Sequence, residues 1–335
     1  MKYSKIKFLT FFAIICSIGL APINDASANE GTAITKVESK EHDTLHGLFN
    51  SLVQVDSDTY ALAYSGNNGD GYISTFTISA DGSTITEIES LEHDAVQGEH
   101  NSLVQVDSDT YALAYAGTGE RGFISTFDID STGDITPIKV ANHVALGEGS
   151  SVNLEHDTAK GAYNSLVQVD SDTYALAYAG SGLDGYISTF TISADGSTTL
   201  VEVESEEHDL AMGRSNSLVQ VDSDTYALAY TGDANDGFIS TFDINSAGNI
   251  TPIKVQNHAV IGGTANLEHD TTKGEFNSLV QVDSDTYALA YTGDANVGYI
   301  STFNIAADGT TITEITSLEH DTDNGTYNSL VQVDS

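Results

Sequence analysis

Six Glu-His-Asp triplets punctuate the chain, with histidines at His42, His93, His156, His208, His269 and His320. Imidazole beside carboxylate is zinc-ligand chemistry when several such groups converge within a few ångströms. Regular recurrence points elsewhere, because repeated histidines in a repeat array are mostly scaffold. A second group of candidates is rich in oxygen. The loops Asn67 to Gly71 (NNGDG), Asp184-Gly185 and Asp233 to Gly237 (DANDG) carry Asp70, Asp184, Asp233 and Asp236, which make calcium the one cofactor these loops would suit. Asp128 to Ile135 (DIDSTGDI) matches the first half of an EF-hand loop, but position 12 falls on Lys139 instead of the bidentate Glu. A third group lies in two insertions, 141–153 and 256–266, each holding an Asn-His pair: Asn142-His143 and Asn257-His258. Loops on a rigid scaffold are where binding residues gather, so these four residues are the expected ligand surface. Their expected place is the connection between successive repeats. No Gly-x-Ser-x-Gly elbow, His-Glu-x-x-His or phosphate loop is present.

The elements that must hold these residues follow from a repeat. The string NSLVQVDSDTYALAY starts at Asn50, Asn101, Asn164, Asn216 and Asn277, and its opening recurs at Asn328, so the steps are 51, 63, 52, 61 and 51 residues. Periods of this size mark propellers and solenoids. One copy predicts four strands: 51–56, 59–65, 72–79 and 85–91. The Asp-Gly turn at Asp81-Gly82 joins the last two. Thr59 to Ser65 alternates Tyr and Leu with Ala, placing large side chains on one face and small ones on the other. β-branched and aromatic residues in period two, broken by Gly or Asp every eight or so positions, exclude helices. The predicted fold is all-β, a propeller of four-stranded antiparallel blades, five complete and a sixth in part. Tandem β-sandwiches are the alternative, but each needs about seven strands in about 100 residues.

Residues 31–43 (GTAITKVESKEHD) match the fourth strand and the triplet after it, while the chain ends on a first strand. The expectation is one blade split between the two ends, in a fragment of a longer polypeptide. The layout resembles WD-repeat and kelch-type propellers, and also tandem-repeat secreted proteins of marine archaea and bacteria. The Trp-Asp signature is absent; Phe76, Phe127, Phe190, Phe242 and Phe303 close the motif Ile-Ser-Thr-Phe in its place. The resemblance implies hydrogen-bonded His–Asp pairs pinning two loops: His42 with Asp70, His156 with Asp184, and His208 with Asp236. Arg121 and Val297 interrupt that pattern in the second and fifth copies.

Composition bounds the function. Lys and Arg total 11 against 49 Asp and Glu, a formal charge of −38. Such a surface repels phosphate backbones and excludes nucleic acid as a partner. Residues 1–28 read as a secretory signal: Lys2, Lys5 and Lys7, the apolar run Phe8 to Leu20, then Ala26-Ser27-Ala28. The apolar run is too short to span a bilayer, so the mature chain, 29–335, is expected outside the cell with no membrane insertion. Cys16, the single cysteine, lies in that leader. Copies identical over 14 residues suit many equal weak contacts. The expected function is therefore a secreted, acidic, non-enzymatic binding or adhesion module for an extracellular protein or glycan. The alternatives are a calcium-dependent polysaccharide hydrolase or lyase, and a structural spacer of a larger surface protein.

Overall fold

The computed structural model describes residues 36–138, 153–197, 200–253, 260–261 and 264–332. The first sheet is β1 (Leu48–Gln54), β2 (Thr59–Ser65), β3 (Gly71–Ile78) and β4 (Ile85–Asp94), antiparallel in that order. The second holds β5 (Glu99–Gln105), β6 (Thr110–Ala116), β7 (Gly122–Ile129), β8 (Ile135–Pro137) and β9 (Asn153–Asp157). The third is β10 (Ala162–Gln168), β11 (Thr173–Ala179), β12 (Gly185–Thr191) and β13 (Val201–Asp209). The fourth runs β14 (Arg214–Gln220), β15 (Thr225–Thr231), β16 (Gly237–Ile244), β17 (Ile250–Ile253), β18 (Val260–Ile261) and β19 (Thr264–Asp270). The fifth is β20 (Glu275–Asp283), β21 (Thr286–Thr292), β22 (Gly298–Ile305) and β23 (Ile312–Asp321). Among the described residues no helix is long and apolar enough to cross a membrane.

The sheets are held by the cores between them. The small face of one sheet receives the large face of the next: Ala61, Ala63 and Ile73 pack against Leu103, Tyr111, Leu113, Tyr115 and Phe127. The same lock recurs between the second and third, third and fourth, and fourth and fifth sheets. Alanine is required on one side because the opposing tyrosines are fully buried, and close packing leaves no room for two large faces. Burying each such aromatic stabilises by about 2–3 kcal/mol. Hydrogen bonds set the register between sheets. Ser51, Ser102, Ser165, Ser217 and Ser278 accept, through Oγ, the backbone N–H of Leu103, Leu166, Leu218, Leu279 and Leu330 at 2.8–3.0 Å. The innermost strands β1, β5, β10, β14 and β20 therefore stand side by side around a common axis.

Two expectations about the elements need correction. The fourth strand does not stop at residue 91 but runs through the Glu-His-Asp triplet, with Gly71 opposite Asp94 across a bulge that keeps the strand paired past Leu91. The insertions do not connect one repeat to the next either. In the second sheet β8 pairs the far half of β7 and β9 its near half, and β17 and β19 divide β16 in the same way. Each insertion therefore leaves and re-enters in the middle of the outermost strand, at the rim. Asn142, His143, Asn257 and His258 lie outside the described residues.

The two ends contact the sheets beside them. His42 meets Tyr64 edge-on with centroids 4.8 Å apart, as His93 meets Tyr115 at 4.7 Å, and residues 36–43 form no strand. At the other end, Leu330 N–H donates to Ser278 Oγ at 2.8 Å, the bond that joins neighbouring inner strands elsewhere, and residues 328–332 form no strand.

Candidate functional site

The histidines of the triplets turn out to be packing groups. His156 lies over Gly122 and Gly161, and a Cβ at Gly122 would fall 2.3 Å from its ring. Its edge meets Tyr178 and Phe190, and neither ring nitrogen has a hydrogen-bond partner. Burial pulls His93, His156 and His208 down to about 3 and His269 to about 4, so these rings are neutral. The inferred pair His156–Asp184 is therefore not formed. His42 packs on Tyr64 with Nε2 unpartnered, which leaves no bond from that atom to Asp70. His208 sits over Gly185 and against Tyr230 and Phe242.

The carboxylate that secures each junction is the aspartate beside the histidine. Asp94 Oδ1 accepts the N–H groups of Val96 and Gln97 at 3.0 and 3.1 Å, and Asp157, Asp209, Asp270 and Asp321 repeat the arrangement. The second oxygen reaches the next blade, where Tyr230 Oη donates to Asp209 at 3.2 Å. These are Asx turns, a local reward for Asp before a tight connection.

Asp70, Asp184 and Asp236 close the one-turn 3-10 loops between the second and third strands of their blades, and Asp233 caps Ala234 N at 2.8 Å. Asp236 and Glu268 share a hydrogen bond, and both are raised, by burial first and then by neighbouring carboxylates. Among the described residues no three His, Cys, Asp or Glu side chains converge as a metal ion would need. Asp130, in the EF-hand-like stretch, caps its own hairpin through Thr132 and Asp134.

A different set of residues converges on the axis. Every inner strand begins Gly-x-x-Asn, and the residue before Asn carries a positive φ: Phe49 (54°), His100 (54°), Tyr163 (57°), Ser215 (52°), Phe276 (53°) and Tyr327 (57°). For bulky residues this is an uncommon, strained conformation, costing about 1–3 kcal/mol each. It is imposed by a bulge, since the register slips between Leu48 and Ser51 and at each equivalent point. The following asparagine fixes it. Asn101 Nδ2 donates to Phe49 O of the preceding blade and to Gly98 O of its own; Asn164, Asn216 and Asn328 bridge the blades likewise.

The result is a ladder of rings from blade to blade. Phe49 and His100 are 4.2 Å apart, His100 and Tyr163 4.2 Å, and Phe276 and Tyr327 4.4 Å. Ser215 leaves one rung bare. His100 is half-buried and pulled down to about 4, by burial first and then by the Lys160 ammonium. Cations collect at this mouth although the chain has few. Lys160 pairs with Glu120, Lys273 with Glu275 at 3.0 Å, and Arg214 donates to Asn235 Oδ1. The sequence did carry a signal: the two residues between Gly and Asn (Leu-Phe, Glu-His, Ala-Tyr, Arg-Ser, Glu-Phe, Thr-Tyr) vary from copy to copy immediately before an invariant string.

No protein-family model matches the chain, and no curated protein sequence matches it. Solved structures do resemble it. A protein from Lactobacillus plantarum is 14% identical over 80% of this chain and 70% of its own, with a TM-score of 0.54. A Bacteroides fragilis protein named as a candidate 6-phosphogluconolactonase is 12% identical over 85% and 86%, with a TM-score of 0.50. The periplasmic gluconolactonase of Pseudomonas aeruginosa is 12% identical over 82% and 86%, with a TM-score of 0.49. The fold is a β-propeller. At these identities the likeness is one of fold alone. One propeller of this fold is named as a candidate lactone hydrolase, which overturns the step from repeated blades to a non-enzymatic module. The reading as a non-enzymatic binding or adhesion module, drawn from the sameness of the copies, does not stand. The sameness belongs to the scaffold, and the mouth is not uniform.

Proposed function

We propose that this propeller is a hydrolase of small cyclic esters, of the sugar-lactone class, and that its site is the mouth of the inner strands. The observation that carries the reading is His100, a neutral imidazole half-buried in the ladder with the Lys160 ammonium near it. A base held at about 4 is unprotonated at neutral pH but weak. General-base catalysis depends on the match between base strength and task, so His100 suits an activated ester and would be poorly matched to a peptide or glycoside. In the proposed reaction His100 accepts a proton from water as the water oxygen bonds to the lactone carbonyl carbon. The ring C–O bond then breaks, and the proton passes to the departing alkoxide, which leaves an open-chain hydroxy acid. Phe49 and Tyr163 offer apolar faces for the ring. The leader, residues 1–28, supports a site of action outside the cytoplasm.

The test is acid release from glucono-1,5-lactone by the purified protein, followed in a pH-stat against the spontaneous rate. The expected rate exceeds background, rises as pH climbs through about 4 and is flat above it, because His100 is active in its unprotonated form. His100→Gln should abolish the excess. Hydrolysis at the spontaneous rate for the wild-type protein across that range would overturn the proposal.

A further inference from the structure

The bare rung has a chemistry of its own. Arg214 and Ser215 stand together at the start of β14, where the other blades place an aromatic ring. Arg214 is half-buried, and its polar partners are Asn235 Oδ1 and Met212 Sδ. Both are uncharged. The two lysines at equivalent junctions are each neutralised, Lys160 by Glu120 and Lys273 by Glu275. Asp233 and Asp236 flank Asn235 in sequence, yet neither lies within ion-pair distance of Arg214 among the described residues. In a chain with 49 acidic side chains and 11 basic ones, the cation at the mouth that lacks a carboxylate among the described residues is also the one beside the gap in the ladder. Guanidinium presents a planar fork of donors that fits carboxylate or phosphate oxygens, and Ser215 supplies a hydroxyl in place of bulk. Ser215 also accepts the strained φ of 52° without a stacking partner to offset it.

We infer that the Arg214–Ser215 notch binds the anionic group, carboxylate or phosphate, of a ring-bearing ligand whose ring lies on Tyr163. The inference deepens the lactonase reading by naming the substrate as an anionic one, and it rests on that reading for the reaction but not for the binding. His100 is two rungs from Ser215, with Tyr163 between. The His100 and Tyr163 rings are 4.2 Å apart, so a ligand on Tyr163 lies beside His100. The cost of bringing an anion to so acidic a protein is met by short-range, charge-assisted bonds, since ionic screening confines the repulsion of distant carboxylates to about 8 Å.

Isothermal titration with glucose 6-phosphate, gluconate and glucose tests this. Glucose 6-phosphate, gluconate or both should bind the wild-type protein measurably more tightly than glucose, and which one does so identifies phosphate or carboxylate as the preferred group. Arg214→Gln should weaken that binding by roughly 10–100-fold, the range of a lost charge-assisted hydrogen bond, and Arg214→Lys should restore it in part. Ser215→Tyr should fill the rung and block binding. Tyr is already borne at this φ by Tyr163 and Tyr327, so an unchanged melting temperature is expected and separates blockage from unfolding. Equal affinity for all three probes, or anion binding indifferent to both Arg214→Gln and Ser215→Tyr, would overturn the inference. The two proposals fail separately. Arg214-dependent anion binding without lactone hydrolysis removes the enzyme and keeps the notch; hydrolysis of glucono-1,5-lactone without anion preference does the reverse.

Discussion

The seams between blades and the mouth on the axis are built from adjoining stretches of the same repeat, and they follow opposite rules. At the seams the copies share one long string, Tyr and Phe exchanging at 123, 186, 238 and 299, and the side chains are buried in filled cores. At the mouth the residue before Asn varies among Phe, His, Tyr and Ser, its backbone is strained, and its side chain is partly or largely open to solvent. Identity marks where geometry must repeat so that the blades can stack. Variation under strain marks where the protein departs from repetition. Strain at a site persists only where the surroundings over-determine it, and here the inter-blade asparagine bridges do so.

The largest effect that should separate the two regions is on acid stability. His93, His156, His208 and His269 are neutral in the folded protein down to about pH 3–4, whereas unfolded imidazoles protonate below about 6.5. Between those limits the unfolded state binds more protons, so stability is full above about pH 6.5 and falls as pH drops toward 4. Each histidine contributes about 1.4 kcal/mol per pH unit in that window. Raised carboxylates such as Asp94 and Glu268 oppose the loss in part. Urea melts from pH 7 to pH 4 should show a steep decline, and a flat profile would mean that the seam histidines are not buried as neutral rings.

Next in size, Tyr226→Ala should cost about 3–5 kcal/mol, as for other fully buried aromatics. Gly122→Ala should cost about 1–3 kcal/mol by overpacking against His156. Tyr163→Ala, at the mouth, should cost no more than about 1 kcal/mol of stacking, a difference readable by chemical denaturation. The smallest effect has the opposite sign. Ser215→Gly relieves a positive φ with no stacking to lose and should stabilise by about 1 kcal/mol; a fall in melting temperature would count against the strain argument.

The scaffold was legible in the sequence because its information is periodic. The alternation in Thr59 to Ser65, the Asp-Gly turn and the 51-residue step together dictate a four-stranded unit with a small and a large face. The packing of His156 in place of a pair with Asp184 was not, because sequence gives the residue types of a junction but not which groups face one another. Asp94 and its equivalents take the turn amides, and the histidines are left to fill the space over a pair of glycines. The insertions misled because Asn-Leu-Glu-His-Asp resumes an interrupted outer strand, which becomes visible only once β9 is seen pairing with β7. The ladder went unread because its residues sit just before the repeated string, at the bulge, where a two-residue pattern carries no period.

The division between scaffold and mouth is tested most directly by measuring glucono-1,5-lactone hydrolysis in His100→Gln and His269→Gln side by side, with the melting temperature of each. His100→Gln is predicted to lose the catalysed rate at an almost unchanged melting temperature, and His269→Gln to melt well below wild type while keeping its rate at temperatures where it is folded. Catalysis surviving in the first variant, or lost in the second while it is still folded, would contradict the account.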